Sequence, residues 1–269
     1  MAGLEGGMET RRDTVILVPV LNEEEAILSF LERWFPFDWD ILFIDGMSRD
    51  NTVGIIEEFS RQQPSRSEAV KLVRTEERRG LAFNTCLGLQ AALNSGYRYI
   101  IVADVGTQRP ADAWKMLESA RAASPADRLI PRGSYFIRGS QTQNFPTYRR
   151  VVTIGARWVS RILLGRTGTY PTHAFKVWPR QALNEIPFWG LVNGSIAKCE
   201  NGPEFQVGMT WLSLANGWSI VEFPMSFFGT KSTFRWRWIP KFLREVLRIR
   251  RYRPGRAITD AAGHLEVSR

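Results

Sequence analysis

Three short apolar runs in the first 110 residues each end on a cluster of polar side chains. Val15-Ile16-Leu17-Val18 leads into Pro19-Val20-Leu21-Asn22-Glu23, and Ile41-Leu42-Phe43-Ile44 into Asp45-Gly46-Met47-Ser48-Arg49-Asp50-Asn51-Thr52. The third, Tyr99-Ile100-Ile101-Val102-Ala103, delivers Asp104-Val105-Gly106-Thr107-Gln108-Arg109-Pro110. Runs of this length bounded by turn residues predict buried strands near 14–20, 40–45 and 99–104, with another at Val70-Lys71-Leu72-Val73-Arg74. Helical spacing predicts helices near 22–35, 51–63, 80–95 and 111–123. A β-α-β succession of this kind predicts an α/β domain with a mostly parallel sheet and right-handed crossovers. Such sheets bind ligands beyond the carboxyl ends of their strands. Asp, Asn and Gly also make ordinary turns after strands, but three loaded strand ends in succession point to a nucleotide-binding crest.

The pattern weakens after residue 123. Pro125, Pro131, Gly133, Gly139 and Pro146 predict loops, a helix near 148–164 carries Val151, Val152, Ile154, Trp158, Val159, Ile162 and Leu163, and a short strand is predicted over 218–228. The expected organisation is a polar tail over 1–13, one domain over 14–230, a basic segment over 231–256 and a second tail over 257–269.

With 269 residues, 44% of them hydrophobic and ten of them Trp, the chain has ample material for a core. No run reaches the roughly 18–20 apolar residues that cross a bilayer, and Met1 to Asp13 shows no apolar leader. Cys86 and Cys199 give neither metal spacing nor a disulfide framework, so a reducing, cytoplasmic setting is expected. The net charge of +9 is local. Residues 231–256 hold ten Lys and Arg against Glu245 alone, which accounts for all of it. From Lys241 onward Phe242, Leu243, Val246 and Leu247 recur at helical spacing, Lys241, Arg244, Arg248 and Arg251 line another face, and Trp236 and Trp238 precede them. A basic amphipathic helix with flanking Trp predicts attachment to an anionic membrane surface; a helix packed on the domain with solvated charges outside is the alternative. No RNA- or DNA-binding motif accompanies the patch, so nucleic acid is not an expected partner.

Several motifs carry a resemblance to a known family. Pro19, Asn22 and Glu23 match Pro-x-x-Asn-Glu; Asp45, Ser48, Asp50 and Thr52 match Asp-Asp-Gly-Ser-x-Asp-x-Thr; Asp104, Gln108 and Pro110 match three places of Asp-Ala-Asp-Leu-Gln-His-Pro. With Arg79-Gly80-Leu81 between them, the order and spacing resemble family-2 glycosyltransferases of the GT-A fold, within them the polyprenyl-phosphate (dolichol-phosphate) mannosyl- and glucosyltransferases. The resemblance spans about residues 14 to 235. It implies a Rossmann-like nucleotide-sugar domain that transfers a sugar with inversion to polyprenyl phosphate on the cytoplasmic face of a membrane. Transfer to a lipid-linked saccharide, or a nucleotide- or lipid-binding homologue without catalysis, are the other readings. The resemblance also implies that Pro19, Asn22, Glu23, Asp45 and Ser48 hold the nucleoside, and that Asp104 and Gln108 are the ligands of Mg²⁺ or Mn²⁺. Glu23 would equally suit the first turn of a helix, and Asp50 the cap of the next one.

Departures from the family pattern bear on mechanism. Gly106 replaces the second metal carboxylate, Gly46 the second acid after the second strand, and Gly208 the acid of Gln-Val-Glu. Arg132 lies beside Gly133-Ser134-Tyr135, Arg149 with Thr153 approximates Arg-x-x-x-Ser, and Tyr170-Pro171-Thr172-His173-Ala174-Phe175-Lys176 stands for Asp-x-Thr-Ser-Gly-Phe-Arg. A hydroxyl acceptor calls for a general base, whereas a lipid phosphate is already anionic and calls for cations. Arg132, Arg149 and Lys176, with Arg138 nearby, are the expected catalytic cations beside Asp104, and His173 is expected to be structural.

Overall fold

The computed structural model describes residues 12–106, 108–142, 145–165, 167–227 and 238–252. Seven strands form one sheet in the order β3-β2-β1-β4-β6-β5-β7: β1 Thr14–Val20, β2 Asp40–Asp45, β3 Val70–Arg74, β4 Tyr99–Val102, β5 Leu129–Ser134, β6 Lys176–Pro179 and β7 Ser219–Pro224. β1, β2, β3 and β4 are mutually parallel, as are β5 and β7; β6 runs antiparallel to both neighbours. The α/β class and the mostly parallel sheet follow the sequence reading.

Both faces of the sheet are covered, which is why β1 and β2 read as unbroken apolar runs. Ile16, Val18, Ile41 and Phe43 pack under helices α1 Ile27–Trp34, α2 Thr52–Arg61 and α4 Pro110–Ala122. Val15, Leu17, Leu42 and Ile44 pack under α3 Leu81–Asn94, α6 Arg180–Glu185 and α8 Gly202–Ala215, with the single-turn α7 Gly190–Asn193 beside them.

Two findings differ from expectation. Residues 129–134 are a buried strand, not loop, although Pro131 removes a ladder donor. It is tolerated there because β5 and β6 pair in register at one position only, Arg132 with Lys176. The basic helix α9, Trp238–Arg251, packs on α8 and on the long helix α5, Thr147–Leu164. Phe242 and Val246 enter a small core with Val207, Ile249 is buried, and Leu243 and Leu247 stay partly exposed. Glu245 is fully buried and accepts hydrogen bonds from Lys198 N at 2.8 Å and Arg244 Nε at 2.9 Å. Thus the expected amphipathic pattern serves mainly to attach the helix to the domain. Trp236 and the basic residues at 231, 235, 237, 253 and 256 lie outside the described residues.

Candidate active site

The adjacency of β2, β1 and β4 brings the three loaded strand ends side by side. The first two loops are laced together by backbone donors and side-chain acceptors. Asn22 N donates to Ser48 Oγ at 2.9 Å, Arg49 N to Asn22 Oδ1 at 2.8 Å and Glu23 N to Thr52 Oγ1 at 2.7 Å. Asp50 accepts from Thr52 N and Oγ1 through one oxygen and from Glu24 N through the other. Burial works against its charge, but those bonds, led by Thr52, hold its carboxyl below the usual range. Asp50 therefore ties the two loops together; it is not the cap of α2, since that position is Asn51 and no side chain makes a capping bond there. Asn22 and Met47 both adopt left-handed backbone (φ 56° and 68°). Asn tolerates this conformation and Met does not, so the second loop carries strain of the kind found at functional sites.

Asp45 ends β2 and is wholly buried. Its Oδ1 accepts from Ser48 N at 3.0 Å; its Oδ2 has Arg74 Nε at 3.6 Å and no hydrogen-bond donor. Pro19 lies in register with Ile44 one step before it. Pro19, Asn22, Glu23, Asp45 and Ser48 are thus brought to one place.

Asp104 stands beyond β4 and is half-buried. Gln108 folds back onto it: Asp104 N donates to Gln108 Oε1 at 2.6 Å, and Gln108 Nε2 donates to Asp104 Oδ2 at 3.0 Å. Burial raises the Asp104 carboxyl, while Gln108 and the charge of Arg149 pull it down. Arg149 and Thr153, one turn apart on α5, lie near Tyr170: burial raises its phenol pKa, while Arg149, and more weakly Thr153, pull it down. The Arg149 guanidinium lies over Phe145 and Phe227 at 5.5 and 5.6 Å in a nest of rings that includes Tyr135 and Phe136. Asp104, Arg149, Thr153 and Tyr170 thus form one cluster of a carboxylate, a cation and two hydroxyls.

This donor set bears on the metal. Gln108 spends its carbonyl on Asp104 N, so it braces the carboxylate; it is not a second free ligand. Above Gly106 there is open space with no heavy atom within 4 Å of an added Cβ. Among the described residues no group of three or more His, Cys, Asp and Glu could cage an ion. The residues present fit a cation shared between Asp104 and a diphosphate, not a self-sufficient site.

Two of the expected catalytic cations do not reach this cleft. Arg132 is fully buried in β5, its Nη2 bonding Glu222 Oε1 at 2.8 Å and Thr167 O at 2.9 Å. Burial lowers its pKa and the Glu222 charge restores part of it. Lys176 is also fully buried at the start of β6, its Nζ donating to His173 O at 2.6 Å and Gln206 Oε1 at 2.7 Å. Burial, then the neighbouring Arg132, push its pKa well down. The position of the missing acid on α8 is closed too, because a Cβ at Gly208 would lie 2.7 Å from Leu191 Cδ2.

Glu222 was not legible as a site residue. From β7 it accepts from Arg132, Thr169 N and Oγ1, and Tyr170 N, and so fixes the loop that presents Tyr170. A lone acid in the apolar run Ile220-Val221-Glu222-Phe223 was the available signal.

His173 is structural, as expected. It stacks on Tyr170 (centroids 4.6 Å, planes 9° apart), and its Nδ1 lies 3.0 Å from Gly133 O. Burial drives its pKa from 6.5 to about 3, against the Gly133 bond and with help from Lys176, Arg149 and Arg132. An unfolded histidine takes up its proton near 6.5. As the pH falls from there towards 3, the unfolded chain gains a proton that the folded chain refuses, and stability falls. We expect His173→Gln to flatten the stability–pH curve over this window, where the wild type loses on the order of 4 kcal/mol; urea titrations at stepped pH measure it, and an unchanged slope would refute the assignment.

Comparison with known proteins agrees with this geometry. The profile described as "Glycosyl transferase family 2" matches residues 15–152, just over half of the chain. The polyprenol monophosphomannose synthase of Mycolicibacterium smegmatis is 28% identical over 218 residues, covering 80% of this chain and 77% of its own. The undecaprenyl-phosphate mannosyltransferase of Micrococcus luteus is 27% identical over 215 residues, covering 78% and 82%. Among solved structures, glucosyl-3-phosphoglycerate synthase from Mycobacterium tuberculosis, in complex with Mn²⁺, UDP and phosphoglyceric acid, superposes with a TM-score of 0.58 at 16% identity, covering 88% of this chain and 76% of its own. A mannosyltransferase from Pyrobaculum calidifontis with GDP-Man and Mn²⁺ gives 0.53 at 17% identity, covering 87% and 61%. Both structures share the GT-A fold with this chain.

Proposed function

The chain belongs to glycosyl transferase family 2, and on that premise we propose that it moves a hexose from a nucleotide sugar to a polyprenyl phosphate, with inversion, at a membrane surface. The two curated relatives described above are named for mannose and lipid phosphates, which makes mannose the first sugar to try. The observation that carries the choice of acceptor is Arg149, held on aromatic rings beside Asp104 and Tyr170, together with a position 208 that has no room for a base.

In the reaction we infer, a phosphate oxygen of the lipid attacks the anomeric carbon as the bond to the donor's β-phosphate oxygen breaks. The nucleoside diphosphate leaves with that electron pair. The nucleophile is already anionic near neutral pH, so no proton has to be removed. What the protein must supply is relief from bringing two anions together. Arg149 provides a fixed, always-charged guanidinium, and Tyr170 a hydroxyl donor held by Glu222 through its loop. A divalent cation held by Asp104 and the diphosphate would neutralise the leaving group when bound.

The surface beside this cleft suits a lipid acceptor. α5, which carries Arg149, exposes Val151 (62%), Trp158 (57%) and Ile162 (71%), with Tyr148 and Ile154 along the same helix. Arg150, Arg157 and Arg161 accompany them, and the helix contains no acid. Apolar side chains with a basic rim suit an anionic bilayer surface. Arg149 faces the other way, into the cleft, since Trp158 lies nine residues and so half a turn from it on the helix. Seating α5 on a bilayer would set the cleft beside the membrane, not Arg149 in it. The attachment expected of the 231–256 segment is thus assigned chiefly to α5, with the charges of α9 adding attraction.

Trp158→Glu with Ile162→Asp is expected to weaken binding to vesicles containing anionic lipid at least about tenfold, since each exposed apolar group inserted contributes roughly 1.5–3 kcal/mol. Thermal stability should be unchanged. Vesicle binding equal to wild type at low salt would remove the membrane from the proposal.

A further inference from the structure

Gly46 occupies the place of the resembling family's second strand-end carboxylate, and another side chain has taken the room this leaves. A Cβ built at Gly46 would lie 2.5 Å from Asn84 Nδ2 and 3.8 Å from its Cγ, so a larger residue at 46 would displace the Asn84 carboxamide from its present position. Asn84 comes from the first turn of α3, where Ala82, Cys86 and Leu89 are core residues. An amide placed there is only 6% exposed and is costly without partners. Nothing among the described residues donates to its Oδ1. It does not cap its helix either, because the cap is Gly80 and no side chain bonds there.

Asp45, the residue before Gly46, has the same deficit at Oδ2. Gly46 N is fixed to Val20 O at 2.9 Å, so this pair of acceptors sits where β1 and β2 end, among the residues matched to the nucleoside. Native structures rarely bury acceptors without donors, and two at one strand end mark a place suited to donors from outside the chain, an ordered water or a ligand with two donors. Asp45 Oδ2 has an ion-pair contact with Arg74 Nε at 3.6 Å, and the Arg74 side chain is 60% exposed.

We propose that Asn84 is a nucleoside contact of the donor site: with Asp45 it accepts from a pair of nucleoside donors, base N–H groups or ribose hydroxyls. Gly46 is the substitution that admits it. The two positions act as one unit, a neutral amide from α3 standing where a carboxylate after β2 would stand. This rests on the reading of the chain as a nucleotide-sugar transferase.

Calorimetry on the full chain with UDP, GDP, their 2′-deoxy forms and inorganic diphosphate tests it. Asn84→Ala should weaken nucleoside diphosphates about tenfold, the loss of one buried hydrogen bond, and leave inorganic diphosphate unaffected. Its melting temperature should equal or exceed that of wild type, since an unsatisfied buried amide is removed. If the ribose supplies the donor, 2′-deoxy forms bind wild type more weakly and the variant no longer distinguishes them; if the base does, the variant levels UDP against GDP. Gly46→Asp combined with Asn84→Ala should recover most of the lost affinity. Unchanged nucleoside diphosphate affinity in Asn84→Ala would overturn the assignment while wild-type binding left the family reading standing. Wild-type protein that bound neither UDP nor GDP would overturn both.

Discussion

Asp104→Ala is expected to lower sugar transfer by about 10²–10³-fold, because on the proposed reading its carboxylate would hold the cation that offsets the negative charge developing on the leaving diphosphate. The reduction should appear in single-turnover rates at saturating donor, with the fold intact by circular dichroism. Gln108→Ala should do less. It frees the carboxylate that Gln108 now clamps and removes a brace, so its effect is expected in the concentration of Mn²⁺ or Mg²⁺ needed for half-maximal rate. Full activity in Asp104→Ala would remove the carboxylate from the mechanism. Equal losses in the two variants would mean that the clamp, not the charge, is what matters.

The second large effect concerns stability. Arg132→Ala leaves Glu222 largely buried without its cation, and breaking such a pair from one side costs about 3–5 kcal/mol. Urea denaturation measures it. Arg132→Met with Glu222→Leu should recover much of that stability, since a buried pair replaced by apolar side chains is often neutral. Activity should not return, because Thr169 and Tyr170 lose the carboxylate that accepts their backbone N–H groups. A double variant with normal transfer would separate Tyr170 from the mechanism. The pair also sets an acid limit. Burial raises the Glu222 carboxyl, but Arg132 and the Thr169 bonds outweigh it and leave the pKa below that of the unfolded chain. This stabilisation is complete above the unfolded carboxylate pKa and is lost as pH falls through the folded one.

The residues that were legible and those that were not differ in a physical way. β1, β2 and β4 are buried on both faces, so continuous apolar runs marked them, and the polar residues at their ends marked the crest. β5 and β6 carry Arg132 and Lys176 inside the sheet, and charged residues there read as surface. Arg132 fell in the stretch predicted as loop and Lys176 took the place of the resembling family's Arg, so both were assigned to the substrate; in β5 and β6 both are fully buried. α8 is buried on nearly every side, with Gln206, Gly208, Thr210 and Ser213 all buried, so it has no amphipathic period to find. Its start carried a signal that went unread in the sequence: Asn201 and Glu204 form a capping box. The tail illustrates the converse limit. Phe242 and Val246 at helical spacing mark an apolar face, but spacing cannot tell whether a bilayer or α5 and α8 cover it.

The central claim is that the nucleophile is a phosphate. The most direct measurement presents the full chain, in vesicles, with labelled nucleotide sugars and either polyprenyl phosphate or the corresponding polyprenol. GDP-mannose and UDP-glucose are the first donors to try. Label should pass into the organic phase with the phosphate only, with release of one nucleoside diphosphate per sugar transferred and an acid-labile linkage in the product. Label transferred equally well to the free alcohol, or to a lipid-linked saccharide in preference to the phosphate, would contradict it.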